Sequence, residues 1–348
     1  MSAKPIRVAQ VMAGGAHGGA ENFFTRLTCA LNEQSLLTEK AFTRPHQHRT
    51  AELAESSVDT ATFRFGGPLD LLDAWRYRKA LHAWQPDIVL TWMSRASQLT
   101  PKGNYILVNR LGSYYNLKNY RKADYWIGIS KGICQYMIDG GIPADRVFHI
   151  PNFADESPVE AIDRTSFNTP ADKPLLLTAG RLHSVKGFDT LLQALVHVPE
   201  AHLWLAGSGP EDASLKQLCS DLKLDDRVHF LGWRNDVSAL MRTADMFICS
   251  SRHEGLGSIV LESWLNHCPI VATRAQGPAE IIEDGVTGLL TPVDDAMALA
   301  SAINRTISDP DLRTDMRMKA HEHYMRHYSK ASIVQRYCDF FEQISGKS

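Results

Sequence analysis

The chain reads as an α/β protein built from two doubly wound parallel sheets, and three observations carry that reading. Apolar runs of strand length alternate with helical patterns along nearly the whole chain, as sheets covered by helices on both faces require. The alternation is broken by residues 154–173, a polar stretch punctuated by Pro158, Pro170 and Pro174 that has no periodic apolar face. Glycine-rich segments stand where apolar runs turn into helical patterns, as at Gly14 to Gly19 and Gly255 to Gly257.

Taken in order, the first series predicts strands at 6–12, 36–43, 58–65, 88–91, 105–109, 125–129 and 147–150. A second alternating series runs from Leu175 through Leu290, and three helical patterns follow it. The expected organisation is a domain over 1–153, a linker over 154–173, a second domain over 174–328 and a final segment, 329–348, with its helix near 330–344. Neither repeats nor low-complexity tracts interrupt it.

At 348 residues and 44% hydrophobic content, two ordinary cores can be buried. No segment reaches the roughly 18 to 20 apolar residues of a membrane span, so a soluble protein is expected. The N-terminal apolar stretch is short and contains Gln10, so it reads as a first strand rather than a signal peptide. Six scattered cysteines without C-x-x-C spacing suit reduced, buried thiols in a cytoplasmic protein.

The net charge of −2 conceals an asymmetry. Residues 1–150 hold 18 Lys and Arg against 12 Asp and Glu, whereas residues 151–348 hold 19 against 27. The basic first half is either a solvated surface or a source of peripheral attraction to anionic lipid and phosphorylated lipid-linked acceptors. Nucleic acid is not an expected partner, because no dense basic run is interleaved with aromatics.

The chemistry is concentrated in Ser250 to Trp264, where Glu254 precedes a glycine turn and Glu262 falls inside the helix that begins near Ser258. Amides at such a helix start suit a diphosphate. Glu262 lies roughly 6 to 8 Å further along at about 1.5 Å per residue, near the place of an attached ribose. The plainer alternative is a capped helix with one exposed and one interior carboxylate. A second strand–loop–helix, Leu175 to Asp189, carries Arg181 and Lys186, two cations able to neutralise phosphate, or merely a solvated basic loop.

These residues resemble the retaining glycosyltransferases of family 4, which have the GT-B fold. The resemblance spans nearly the whole chain. It includes Gly18-Gly19-Ala20-Glu21, Ile150-Pro151-Asn152, Gly180-Arg181 with Lys186-Gly187, and Ala206-Gly207-Ser208-Gly209-Pro210-Glu211. Further on come Phe230-Leu231-Gly232-Trp233, the paired glutamates, Gly277-Pro278-Ala279-Glu280 and Asp284-Gly285-Val286-Thr287-Gly288. It implies two Rossmann-like domains facing across a cleft, with the C-terminal helix crossing back to the first.

By that resemblance, Arg181 and Lys186 take the diphosphate, Glu254 a donor-sugar hydroxyl and Glu262 the ribose. Gly232 and Trp233 lie where the base packs, and the amides of Gly257, Ser258 and Ile259 add phosphate contacts. Gly15, Ala16 and Gly19 approach the donor from the first domain, Glu21 caps or tethers the helix there, and His17 is either a donor to the ligand or a tolerated loop residue. Sugar transfer retains configuration by same-face attack and needs no protein nucleophile. The expected donor is a UDP-sugar or GDP-mannose, and neither cofactor nor metal is expected. Asp309-Pro310-Asp311 reads as a helix start, and His46 and His48 as solvated loop histidines or, less simply, ligands.

The chain departs from the family after the fifth strand, where Val108 to Tyr120 holds no histidine. That segment resembles a subgroup of bacterial cell-envelope and lipopolysaccharide-core glycosyltransferases. Arg110, Tyr114 and Lys118 are candidate acceptor contacts there, unless the segment is a surface loop with structural tyrosines. The expected enzyme extends a lipopolysaccharide-core or lipid-linked glycan at the inner face of the cytoplasmic membrane. The alternatives are a soluble-acceptor transferase, a sugar-nucleotide epimerase on the same fold, a non-catalytic sugar-nucleotide binding module and, more distantly, a nicotinamide enzyme, against which Arg44 stands where an acid would be needed.

Overall fold

The computed structural model describes residues 4–16, 18–66 and 70–346. His17 lies outside them. The chain divides into two compact units: one runs to Asn152 and includes the segment from Lys330, and the other spans Phe153–Ser329.

Among the described residues, the first unit carries a seven-stranded sheet of β1 (Ile6–Met12), β2 (Leu37–Thr43), β3 (Asp59–Thr62), β4 (Ile88–Trp92), β5 (Ile106–Leu111), β6 (Tyr125–Gly128) and β7 (Val147–His149). Their order is β3-β2-β1-β4-β5-β6-β7 and every pairing is parallel. Continuous apolar runs sit at the centre, where both faces are covered, and β4 is buried throughout. The polar β3 is the edge. It stops short of the apolar run that predicts it, because Phe63 and Phe65 turn in to pack edge-on against Tyr77, at 5.6 and 5.1 Å.

The second unit repeats the architecture with β8 (Leu175–Ala179), β9 (His202–Ala206), β10 (Val228–Gly232), β11 (Met246–Cys249), β12 (Ile270–Thr273) and β13 (Leu289–Thr291), ordered β10-β9-β8-β11-β12-β13. Leu176, Leu203, Leu205, Ile248 and Val271 form its core with the helix Phe188–Leu195. The stretch 154–173 is fastened to this unit rather than left as a free connection. Ile162 exchanges hydrogen bonds with the Thr243 hydroxyl at 2.8 and 2.7 Å, Arg164 pairs with Asp245 at 2.9 Å, and Phe167 packs edge-on against Trp204 at 5.0 Å.

Of the three final helices, Ala296–Ser308 and Pro310–His327 belong to the second unit and Lys330–Ser345 to the first. Asp309 caps the middle one, its carboxylate accepting the Leu312 N–H at 2.9 Å. The last helix buries Ile333, Val334, Tyr337, Phe340 and Phe341, and Phe340 meets Phe148 of β7 at 4.7 Å. Among the described residues no helix is long and apolar enough to cross a membrane.

Candidate functional site

In a doubly wound sheet, ligands bind beyond the carboxyl ends of the strands where the strand order reverses, because the loops on either side diverge and leave a crevice. In the second unit that point lies between β8 and β11. The loops leaving these strands are those of Arg181 with Lys186 and of Glu254.

The two loops are stitched together. Ser250 Oγ donates to the Lys186 carbonyl at 2.9 Å and the Arg252 amide to the Val185 carbonyl at 2.8 Å. Gly187, at φ 61°, lets them approach, since a Cβ there would stand 2.1 Å from the Ser250 oxygen. The result is a direct ion pair, with Lys186 Nζ 2.5 Å from Glu254 Oε1. The Ser251 hydroxyl donates to the same Oε1 at 2.8 Å. Among the described residues Oε2 makes no hydrogen bond, so one carboxylate oxygen is committed and the other available. Burial opposes the Lys186 charge, but the Glu254 carboxylate outweighs it, with help from the fields of Cys249 and Glu262, and holds the ammonium pKa above its ordinary value.

Arg181 lies on the same loop after β8, five residues before Lys186. Its loop is fixed by Leu182, which is buried and exchanges backbone hydrogen bonds with Ser208 and Glu211. The Arg181 side chain is exposed and, among the described residues, has no hydrogen-bond or ion-pair partner. Gly257, in the left-handed region at φ 76°, opens the helix Ser258–Leu265, so Ser258 and Ile259 contribute first-turn amides and the positive end of the dipole. Glu262 is half-buried one turn further. Gly232 closes β10, its carbonyl accepting from Gly207 at 2.7 Å, and next to it Trp233 is 62% exposed.

In the first unit the loop after β1 is braced from beneath. Glu21 is buried and accepts the Gly15 N–H at 2.9 Å, and a Cβ on Gly14 or Gly18 would collide with its carboxylate at 2.5 or 2.4 Å. Buried Arg49 donates to the Gly15 carbonyl at 2.6 Å, with a longer contact to that of Ala16 at 3.4 Å. The Gly15 N–H is thus engaged by Glu21, and Gly19 opens the following helix, Gly19–Asn32. Above the loop, at the β1/β4 switch point, a cavity of about 260 Å³ is lined by Gly14, Gly15, Arg44, Ser94, Arg95 and Tyr115, among others. His48 lies within the helix Gln47–Glu55 and not in a loop.

Arg110 does not reach a ligand-facing surface, contrary to the expectation above. It is 2% exposed, lies over the Trp92 and Phe23 rings at 4.3 and 4.8 Å, and donates to Tyr337 at 2.9 Å and to Asn152. A guanidinium enclosed in this way ties the C-terminal helix to the sheet. Tyr114 is half-buried against Tyr136 at 5.4 Å, and Lys118 is exposed in a short 3₁₀ turn.

Several site residues carry no signal in the sequence. Arg252 bridges the loops by donating to Asp189 at 2.8 Å and Asp294 at 2.6 Å. Arg49 and Arg95 belong to no spaced motif. Met93, at φ 64° directly after β4, shows backbone strain at a strand end, which only coordinates reveal.

Comparison with known proteins identifies the family and the fold. Residues 159–323 match the family model described as glycosyl transferases group 1. The chain is 34% identical to the lipopolysaccharide core biosynthesis glycosyltransferase LpsE of Rhizobium meliloti, over 93% of this chain and 95% of that protein. It is 31% identical to LpsD of the same organism, over 94% and 96%. Anabaena HepE, solved in complex with UDP-glucose, superposes with a TM-score of 0.84 at 22% identity, covering 97% of this chain and 100% of that one. The lipopolysaccharide outer core galactosyltransferase WaaB superposes at 0.76 and 19% identity, covering 99% and 100%. These likenesses show the GT-B fold.

Proposed function

The chain belongs to the group 1 glycosyltransferases, and from that premise we propose that it is a retaining, metal-independent enzyme of family 4. It transfers a hexose or related sugar from a nucleotide-diphosphate-sugar to a lipopolysaccharide-core or lipid-linked glycan. The observation that carries this reading is the Lys186–Glu254 pair at 2.5 Å on the β8/β11 switch point, with Arg181 exposed on the same β8 loop and without a hydrogen-bond or ion-pair partner among the described residues.

Arg181 and Lys186 bind the diphosphate and stabilise the charge that develops on it as the sugar leaves, supported by the amides of Gly257, Ser258 and Ile259. Fixed cations supply what a metal would otherwise provide. Glu254 keeps Lys186 charged through Oε1 and offers Oε2 to a donor-sugar hydroxyl. Glu262 takes the ribose hydroxyls, and the base packs at Gly232 and Trp233. The bond from the sugar's anomeric carbon to the phosphate oxygen breaks, and a bond to the acceptor oxygen forms on the same face. The acceptor proton passes to the leaving phosphate oxygen. Arg44 and Arg95 at the first-unit cavity, with Tyr114 and Lys118 on the segment of Tyr115, which also lines it, suit an anionic glycan. The resemblance to LpsE and LpsD supports the core acceptor, and the UDP-glucose complex of HepE supports a UDP-sugar ahead of GDP-mannose.

The test is transfer of label from UDP-sugars and GDP-mannose to a core-glycan acceptor in the presence of EDTA, with the anomeric configuration of the product read by NMR. Metal-free transfer with retention is expected. Inversion, an absolute need for a divalent ion, or donor turnover without any acceptor contradicts it.

A further inference from the structure

The helix Leu71–Trp84 carries more apolar surface than the fold uses. Its inner side buries Tyr77 and Leu81, with Asp73 accepting the Phe65 N–H at 2.8 Å. Its outer side leaves Leu71, Leu72 and Trp75 exposed by 73, 77 and 60%. At about 100° per residue these three share one face, with Lys79 between Trp75 and Leu72 and Arg76 beyond them. The Lys79 ammonium stands 5.1 Å over the Trp75 ring. Beside the helix a groove of about 640 Å³ is lined by Lys4, Arg78, Lys79, Lys102 and Tyr105. Asp87 also lines it, but its carboxylate already accepts the Arg7 N–H at 2.9 Å.

We infer that this face docks on an anionic lipid bilayer, with Leu71, Leu72 and Trp75 entering the headgroup layer and Arg76, Arg78, Lys79 and Lys102 against lipid phosphates. A clustered apolar patch left in water needs a covering, and exposed leucines and tryptophan among cations are the composition of an interfacial helix. Charge complementarity selects lipid over a second copy of the chain, because a two-fold contact would set these cations against their own copies. The start of this helix is also linked to the first-unit cavity. Phe65, held by Asp73 at the helix start, offers its carbonyl to Arg95 at 3.4 Å and Arg44 at 3.5 Å, both of which line that cavity. Docking here brings a lipid-linked acceptor to those arginines, and this inference rests on the acceptor proposed above.

The experiment is co-sedimentation of the full chain with phosphatidylcholine vesicles, with and without about 30% phosphatidylglycerol, at low salt and at about 0.5 M salt. Salt-sensitive binding to the anionic vesicles alone is expected. The Leu72→Glu/Trp75→Glu and Arg76→Glu/Lys79→Glu variants should each weaken it about tenfold with unchanged melting temperature. Met318→Glu, at another exposed apolar residue, should leave it intact. Absence of binding, or binding indifferent to both double variants, overturns the inference, as does a wild-type dimer that these variants dissociate. Transfer to a delipidated core glycan is measured alongside and should be equal in wild type and variants. Loss of that transfer in wild type with vesicle binding intact would count against the acceptor and not against the docking face.

Discussion

Lys186 and Glu254 form a half-buried pair in which each charge depends on the other, so removing either leaves its partner uncompensated. Lys186→Ala should lower kcat/KM by roughly 10²- to 10³-fold, measured with the natural donor at saturating acceptor. The pH dependence follows from the raised pKa of Lys186. A lysine with a folded pKa above its unfolded value contributes stability that is complete below the unfolded pKa and lost as pH rises through the folded one. Wild-type stability should therefore be insensitive to this group near neutrality and decline only in the alkaline range. In Glu254→Gln the carboxylate field disappears while burial remains, so the Lys186 pKa falls and the alkaline limb of the activity profile moves to lower pH. An unmoved limb would show that Lys186 is not the group that titrates. Lys186 and Glu254 stand out in the sequence because their loops are framed by glycines, and Glu262 because it lies in the first turns of the helix that follows. Arg110 was misread because a sequence displays a charge without its burial, and Arg49 and Arg252 were missed because their partners lie far away along the chain.

The C-terminal helix Lys330–Ser345 is held by one buried arginine and an aromatic stripe. Arg110→Ala strands the Tyr337 hydroxyl, removes a hydrogen bond from Asn152 and empties the space over Trp92, and should cost on the order of 3 kcal/mol in denaturant unfolding while leaving donor affinity unchanged. Intact stability with impaired acceptor kinetics would restore Arg110 to the binding surface. Gly187→Ala places a methyl against the Ser250 carbonyl at a positive φ and should destabilise by about 2 kcal/mol or more, with a matching loss of donor binding. Most elements could be read from periodicity: the central strands are predominantly apolar runs, and the last helix has a clean inner face. The helix Leu71–Trp84 is apolar on two faces, which blurs its period, and 154–173 is held by side-chain hydrogen bonds and isolated aromatic contacts that leave no period at all.

At the scale of the molecule, two doubly wound units each present a switch point, one lined by a braced glycine loop and arginines, the other by the Lys186–Glu254 pair. The proposed division of labour matches the charge: the basic first half suits an anionic acceptor and a lipid surface, and the second half would meet the donor with a few placed cations. On the proposed function, this second site binds a nucleotide-diphosphate-sugar through protein cations alone. The most direct measurement is the thermal shift of wild type and Arg181→Ala with UDP, GDP, ADP and their sugar conjugates in EDTA. One nucleotide family should stabilise the wild type by about 2.7 kcal/mol at 100 times its dissociation constant, and Arg181→Ala should lose most of that shift. Stabilisation that requires a divalent ion, that is equal in the variant, or that no nucleotide produces would contradict the account.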